Sequence, residues 1–349
     1  MKINNILLSL LITSALFLPG CSKAPAKDDT ENKTESVISS AITETEPESD
    51  ASVKNDFTLK YINTGIRPIA VMVDNDDKNA RPQAGLEDAY LIYEMPVEGG
   101  ATRFMALFQS AETEKIGPVR SSRHYFLDYA MENDAIYTHF GWSPKAMQDI
   151  SAYGINKING ILGEDGNVFW REEKYRGDWH SAYTSIANIK SQIAKKGFET
   201  QTQHEIGLKF ADEELDRNTQ SPAHTVSLNY SSRYHTSYAY NSQAGMYEKS
   251  IGAEPHVMQS GETLAFKNII IELIYDTALG DGSARRDIRT AGSGKGYYIS
   301  NGQCEEITWS KPSRNANTVY TTSDGTELMM NPGKTVINII SPAAGITIS

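Results

Sequence analysis

The stretch Asp88–Ser110 reads DAYLIYEMPVEGGATRFMALFQS and predicts two strands joined by a short turn. Its two arms, Asp88–Met95 and Thr102–Ser110, are rich in apolar and aromatic residues, as buried strands are. Between them Gly99 and Gly100 permit positive φ and the close approach of another backbone. A hairpin is therefore expected in the first half of the chain.

Around this hairpin, strands alternate with helices. The apolar run Arg67–Val73 predicts a buried strand, and Asp134–Phe140 predicts another. Helices are expected over about Val119–Met131, from the capping pair Ser143-Pro144 to about Ser151, and over Ser185–Lys196 with a stop at Gly197. This alternation predicts an α/β domain over about 57–210.

The second half has a strand pattern throughout. Lys267–Tyr275 is a β-rich run, and Asn301-Gly302 and Asp324-Gly325 are strong hairpin signals. Lys334–Ile340 is expected to be the last strand. We therefore predict an α+β protein of two domains, the α/β domain being followed by a mostly antiparallel β domain over about 222–349.

The N-terminus carries an export signal. Residues 1–20 contain one lysine and an apolar run of thirteen residues, Ile6–Leu18, too short to span a bilayer as a mature helix. Leu18-Pro19-Gly20-Cys21 resembles the lipobox of bacterial lipoproteins, in which the cysteine is acylated. Lipidated Cys21 is expected to hold the protein on the extracytoplasmic face of the cell membrane. An ordinary signal peptide that happens to contain a cysteine is the alternative.

Residues 21–56 are expected to form a disordered acidic tether. The segment 22–55 holds eight acidic residues and four lysines and has no aromatic residue. Such a composition does not bury enough apolar surface to fold.

Charge and cysteine content exclude several classes of protein. The chain has 33 basic and 44 acidic residues, so its formal charge is 33 − 44 = −11, which becomes 32 − 44 = −12 without residues 1–20. We expect no nucleic-acid binding, because general attraction to phosphates needs a basic face. Two cysteines cannot form a disulfide scaffold or a four-cysteine zinc site. No metal site and no cofactor are expected, and Asp74–Asn79 does not match a calcium loop.

Several motifs closely resemble the YerB-like bacterial lipoproteins, over about residues 60–345. In the first half they are RPIAVMVDN, ARPQAGLEDAYLIYEMPVEGGATRFMALFQS, IGPVRSSRHYFLDYA and HFGWSP. In the second half they are NIIIEL, GSGKGYYISNGQ, TWSK and NPGKTVINII. The resemblance implies an exported two-domain lipoprotein of a Gram-positive-type bacterium, in a family whose activity is not established.

The most informative polar stretch is Gly117–Arg123, at the start of the predicted helix. A helix start attracts anions, and Arg120, Ser121, Ser122 and Arg123 would add guanidinium and hydroxyl donors there. This pattern indicates recognition of a phosphate or carboxylate. The alternative is that the arginines pair internally with acidic residues such as Asp74, Glu94 or Glu98.

A second set of polar residues follows the strands. Asn75 and Arg103 are further candidates for ligand binding, since loops after strands commonly carry binding residues. The candidates for acid–base catalysis are carboxylates and histidines, which sequence alone cannot bring together. They are Asp74, Glu94, Glu98, His139 and His180.

The second half contains a basic cluster, Arg285, Arg286 and Arg289, followed by the glycine-rich Gly292–Gly296. The glycine-rich stretch lacks the spacing of a phosphate-binding loop and is expected to be a loop between strands. The arginines either pair internally or make an anionic contact with a wall polymer or a protein.

Together these features predict a membrane-anchored extracytoplasmic protein that binds an anionic envelope ligand, such as peptidoglycan or teichoic acid, and/or a protein partner. The first alternative is an envelope hydrolase that uses the carboxylates and histidines above. The second is a structural or assembly lipoprotein.

Overall fold

The structure is a computed structural model that describes residues 65–76, 79–161, 165–172, 179–216 and 221–349. The signal sequence, Cys21 and the acidic segment lie outside these residues. Among the described residues no helix is both long and apolar enough to cross a bilayer.

Three α-helices are present in the described residues: α1 His124–Glu132, α2 Pro144–Ala152 and α3 Ile186–Lys196. The strands of the first half are β1 Ile69–Asn75, β2 Leu91–Pro96, β3 Thr102–Phe108, β4 Ile136–His139, β5 Lys157–Asn159, β6 Trp170–Arg171, β7 Ala182–Tyr183 and β8 Lys209–Phe210. Those of the second half are β9 Ser221–Pro222, β10 Thr225–Asn229, β11 His235–Asn241, β12 Met246–Ile251, β13 Glu254–Pro255, β14 Ala265–Phe266, β15 Asn268–Leu273, β16 Asp276–Ala278, β17 Arg286–Ile288, β18 Gly292–Ser300, β19 Gln303–Lys311, β20 Val319–Thr322, β21 Met329–Met330, β22 Thr335–Ile340 and β23 Gly345–Ile348.

One large mixed sheet runs through both halves of the chain. Its strand order is β20-β19-β18-β15-β22-β2-β3-β1-β4-β5, with β9 added beside β19. The junction is β22, which pairs in parallel with both β15 and β2. The expected mixture of an α/β first half and a mostly antiparallel second half is confirmed, although β22 itself is parallel to its neighbours.

A second, antiparallel sheet has the order β13-β12-β11-β10-β23, with β14 beside β12. Its last strand, β23, pairs with β10, so the expectation that Lys334–Ile340 is the final strand is wrong. Tyr238 and Tyr247 of this sheet pack in one apolar cluster with Ile92 and Ile269 of the large sheet. The second sheet therefore covers part of one face of the large sheet.

The pleat of β1 shows how the two faces of the large sheet are covered. Met72 packs in the cluster that contains Phe126 of α1 and Ile150 of α2. Its neighbour Val71 packs in the other cluster, with Ile189 of α3. Successive side chains of a strand point to opposite faces, and both faces of β1 are covered. The residues of β1 that point into either core are therefore apolar.

The local sequence signals correspond to the observed turns and caps. The hairpin of β2 and β3 is confirmed, with Gly99 and Gly100 at φ 74° and 78°. The Ser143 and Ser185 hydroxyls cap α2 and α3 by accepting hydrogen bonds from backbone N–H groups, and Gly197 ends α3 in the left-handed region. Asn301-Gly302 forms the two-residue turn between β18 and β19.

Candidate functional site

The segment Gly117–Ser122 is extended, so the prediction of a helix start at Val119 is wrong. Its backbone bonds to β1: the Asp74 N–H donates to the Pro118 carbonyl at 2.8 Å, and the Arg120 N–H donates to the Met72 carbonyl at 2.9 Å. Helix α1 begins at His124, and the preceding Arg123 makes no side-chain cap bond. Pairing with a neighbouring strand satisfies the backbone groups that a helix would otherwise satisfy.

Asp74 lies between a histidine and an arginine. Its Oδ2 accepts a hydrogen bond from His180 Nδ1 at 2.8 Å and lies 2.7 Å from Arg120 Nε. Burial raises the pKa of the Asp74 carboxyl, but the bond from His180 and the charges of Arg103 and Arg120 outweigh it and lower the pKa below its ordinary value. Asp74 is therefore ionised although its side chain is fully buried.

Glu98 and Arg123 form a bidentate ion pair. Arg123 Nε and Nη2 donate to the two Glu98 oxygens at 2.6 and 2.9 Å. Burial raises the pKa of Glu98, while the hydrogen bond and charge of Arg123 lower it by more. Both arginines therefore pair internally with acidic residues: Arg120 pairs with Asp74, and Arg123 pairs with Glu98.

Arg103 lies directly across the sheet from Asp74, since the two residues are partners in the β1–β3 register. Its side chain is 2% exposed, and Nη1 donates to the Ser121 carbonyl at 2.7 Å. Its Nε is buried without a hydrogen-bond acceptor among the described residues. Burial, and then repulsion by Arg123, lowers the pKa of this guanidinium to about 10.

We refer to Asp74, Glu98, Arg103, Arg120 and Arg123 as the arginine cluster. It holds three guanidinium groups and two carboxylates. Arg120 keeps 19% of its side chain exposed, and its Nε is the only side-chain atom with an ion-pair or hydrogen-bond partner among the described residues. The cluster is thus a locally positive, partly accessible region of an acidic protein.

The two serines of this segment differ in exposure. Ser121 is partly exposed and donates to the Phe140 carbonyl at 3.1 Å. Ser122 is fully buried, where it accepts a hydrogen bond from the Tyr137 hydroxyl at 2.9 Å. Of the two hydroxyls, only that of Ser121 is placed to reach a ligand from solvent.

His139 is fully buried outside the cluster. Its Nδ1 lies 2.7 Å from the Gly141 carbonyl, and its ring packs between those of Tyr137 and Trp142. The two histidines proposed for catalysis therefore lie in different places. His180 contacts Asp74, whereas His139 packs among aromatic rings.

Glu94 and Asn75 belong to a buried polar network. Glu94 accepts hydrogen bonds from Thr102 at 2.7 Å and Tyr234 at 2.9 Å, and it pairs with Lys249 Nζ at 2.7 Å. Asn75 donates to Thr102 at 2.8 Å. This network joins β1, β2 and β3 to the second sheet, away from solvent, and is separate from the partly exposed arginine cluster.

Lys249 was not identified from the sequence. It follows Tyr247 by two residues in β12, and both side chains are buried, so they share the inner face of that strand. A lysine at an inward position of an alternating strand is the signal that would have indicated a buried ion pair. Burial lowers the pKa of Lys249, and Glu94 opposes that effect.

The basic cluster of the second half is divided. Arg285 pairs with Asp281 at 3.1 Å, and Arg286 Nε donates to Asp276 at 2.8 Å, whereas Arg289 has no ion pair among the described residues. The glycine-rich stretch Gly292–Gly296 lies within β18, so its prediction as a loop is wrong.

Neither a metal-binding cluster nor a reactive thiol is evident in the described parts of the chain. No group of three or more histidine, cysteine, aspartate or glutamate residues there could hold a metal ion. Cys304 is buried and unpaired, and burial raises the pKa of its thiol to about 12. A thiol with so high a pKa is a poor nucleophile.

The chain belongs to a family of proteins of unknown function. The model of the N-terminal domain of that family, DUF3048, matches residues 60–199, and the model of its C-terminal domain matches residues 226–337. Together the matched ranges cover more than half of the chain.

A curated relative is "Putative lipoprotein YerB" from Bacillus subtilis (strain 168). It is 35% identical over 288 residues, which cover 81% of this chain and 84% of the relative. The crystal structure of YerB from Bacillus subtilis matches with a TM-score of 0.71 and 33% identity, covering 81% of this chain and 94% of that one. This similarity indicates a membrane-anchored lipoprotein and confirms the family that the sequence motifs indicated.

Proposed function

We propose that this protein is a lipid-anchored extracytoplasmic receptor that binds an anionic group of the cell envelope at the arginine cluster. The observation that carries the proposal is the buried guanidinium of Arg103, whose Nε has no acceptor among the described residues. A phosphate or carboxylate from peptidoglycan or teichoic acid is the proposed ligand.

The charge balance of the cluster supports an anion. A buried donor without an acceptor costs free energy, and a buried cation costs more unless it is paired. Three guanidinium groups share two carboxylates, so one positive charge is uncompensated within the cluster. An oxyanion bound by the partly exposed Arg120 would supply the missing counter-charge. Because Arg103 interacts electrostatically with Arg120, the same anion would also stabilise the charge of Arg103.

The location follows from the N-terminal sequence. Residues 1–20 would direct export, and acylation of Cys21 would leave the folded part outside the cytoplasmic membrane. The acidic segment 21–56 would then separate the binding site from the anionic lipid surface.

Calorimetry with purified muropeptides, teichoic acid fragments and inorganic phosphate tests the site. Arg120→Gln keeps a polar but shorter side chain and removes the charge, and we expect it to weaken binding by about tenfold or more. Arg285→Gln is the matched control, because Arg285 pairs with Asp281 outside the cluster. Equal affinities of Arg120→Gln and the native protein would remove the proposed site.

The Asp74–His180 contact favours a second candidate, an envelope hydrolase. An ionised carboxylate that accepts from Nδ1 of His180 fixes the tautomer and the orientation of the ring, which leaves Nε2 as the nitrogen that could accept a proton as a general base. Incubation with purified peptidoglycan tests this candidate by the release of muropeptides. Release that is lost in His180→Gln supports hydrolysis, whereas binding without release over a range of pH and metal ions rules it out for that substrate.

A further inference from the structure

The first residues of β18 have a free edge, although the rest of this strand is paired on both sides. The ladder between β15 and β18 ends at the pair Glu272 and Gly296. Beyond it, Gly292–Lys295 continue to pair with β19, from Lys311 to Thr308, and have no second partner among the described residues. Four residues of β18 therefore pair on one side only.

The two-residue turn at Asn301-Gly302 determines which backbone groups are free. Ser300 and Gln303 flank the turn and exchange hydrogen bonds, so every second residue of β18 bonds to β19. By this alternation the N–H and C=O groups of Ser293 and Lys295 point away from β19, toward the missing neighbour. An unpaired edge of this kind is a template for an added strand.

A groove of about 710 Å³ lies beside this edge. Ile274 and Trp309 are buried at its base, and Tyr275 lines it with 68% of the residue exposed. Gly294 pairs with Trp309, and a Cβ at this glycine would lie 2.7 Å from Trp309 Nε1. The glycine thus leaves the edge open where a side chain would not fit.

Two exposed cations, Arg289 and Lys295, also line the groove. Neither has an ion pair or hydrogen bond to a described residue, in contrast to the neighbouring Arg285 and Arg286. In a chain of net charge −11, two such cations beside a free edge favour a negatively charged occupant.

We propose that the free edge of β18 at Gly292–Lys295 binds an extended acidic peptide segment of a partner protein as an added strand. The peptide backbone pairs with Ser293 and Lys295. Side chains alternate across a strand, so apolar residues lie on the Gly294 face of the edge, and acidic residues lie beside Lys295 and Arg289. This site is separate from the arginine cluster and does not depend on the function proposed for it.

The backbone geometry favours a peptide over a glycan. Tyr275 would offer a stacking surface to either, but the parallel array of free N–H and C=O groups matches only another strand. A lysine on an edge strand also guards against aggregation, and that role alone would predict no peptide binding.

Fluorescence anisotropy with the full chain tests the charge requirement. The probe is a labelled peptide of about eight alternating valine and glutamate residues, long enough to cover four residues of edge. We expect binding that is about tenfold weaker for the valine–lysine counterpart, and about tenfold weaker for Arg289→Gln/Lys295→Gln with the acidic probe. Arg285→Gln is expected to bind as the native protein does, because Arg285 lies directly before β17 and pairs with Asp281.

Two N-methylated versions of the probe test strand addition without altering the protein. Methyl groups on one set of alternate amides block pairing with the edge, and methyl groups on the other set point away from it. We expect one version to bind and the other to fail. Equal behaviour of the two versions, no binding of the unmodified probe, or tighter binding of polygalacturonate than of the peptide would each overturn the proposal.

Discussion

Lys249 Nζ lies 2.7 Å from Glu94 Oε2, and both side chains are fully buried. Glu94 comes from β2 of the large sheet, whereas Lys249 comes from β12 of the second sheet. The pair therefore connects the two sheets in a region without solvent. Lys249 also donates to the Tyr238 and Thr236 hydroxyls, and Glu94 also accepts from Tyr234 and Thr102, so further hydrogen bonds extend the polar core between the sheets.

Removal of one partner of this pair is expected to be strongly destabilising. Lys249→Met leaves the Glu94 carboxylate buried without its cation, and we expect a loss of about 3–5 kcal/mol in the free energy of unfolding. Urea titration measures it. Lys190→Met is the control, since Lys190 and its partner Glu112 are both exposed, and it should change stability little. Similar losses in the two variants would contradict a structural role for the pair.

Stability near neutral pH is expected to depend on Glu272. Burial raises its pKa from 4.5 to about 7, although the Tyr320 and Tyr129 hydroxyls donate to its carboxylate. The folded state therefore binds a proton that the unfolded state has lost, so this group destabilises the fold as pH rises through that interval. Between about pH 5 and pH 8, Glu272→Gln should gain stability relative to the native protein. A difference that does not change with pH would contradict the raised pKa.

Asp74 has the opposite dependence. Its pKa is lowered from 3.8, because its contacts with His180, Arg103 and Arg120 outweigh the effect of burial. Its contribution to stability is therefore present above the unfolded pKa and is lost as pH falls through the lowered value. Asp74→Asn should cost about 2 kcal/mol at neutral pH, and the cost should shrink under acid conditions. Acid and urea titrations of both proteins measure this, and an equally large cost at low pH would argue against the lowered pKa.

Gly296 is expected to tolerate no side chain. A Cβ there would lie 2.4 Å from the Ile271 carbonyl oxygen, so β15 and β18 would have to separate. We expect Gly296→Ala to destabilise the protein by about 1–3 kcal/mol. Gly166→Ala is the control, because no atom lies within 4 Å of a Cβ at that position. Thermal unfolding compares them, and equal midpoints would contradict the close approach of the two strands.

Local chemistry predicted much of the fold from the sequence. The hairpin at Gly99-Gly100, the serine caps of α2 and α3 and the turn at Asn301-Gly302 each depend on residues within a few positions of one another. Their hydrogen bonds are made within the same stretch of chain, so the sequence pattern is sufficient.

Long-range pairing accounts for what the sequence did not predict. Residues near Val119 have a helical pattern but pair with β1, and β22 crosses to β2, from which it is separated by more than two hundred residues. Pairing between residues that are distant in the chain also forms the candidate site. The internal pairing of Arg120 with Asp74 was one of two alternatives, and only the β1–β3 register brings Arg103 to Asp74.

The most direct test of the arginine cluster observes the Nε–H groups of its arginines by NMR in protein labelled with nitrogen-15 at arginine. Titration with a teichoic acid fragment or a muropeptide should shift the Arg103 and Arg120 signals at the concentration where calorimetry detects binding. The Arg285 signal should not move. Binding that leaves the Arg103 and Arg120 signals unchanged would contradict the claim that the cluster recognises the anion.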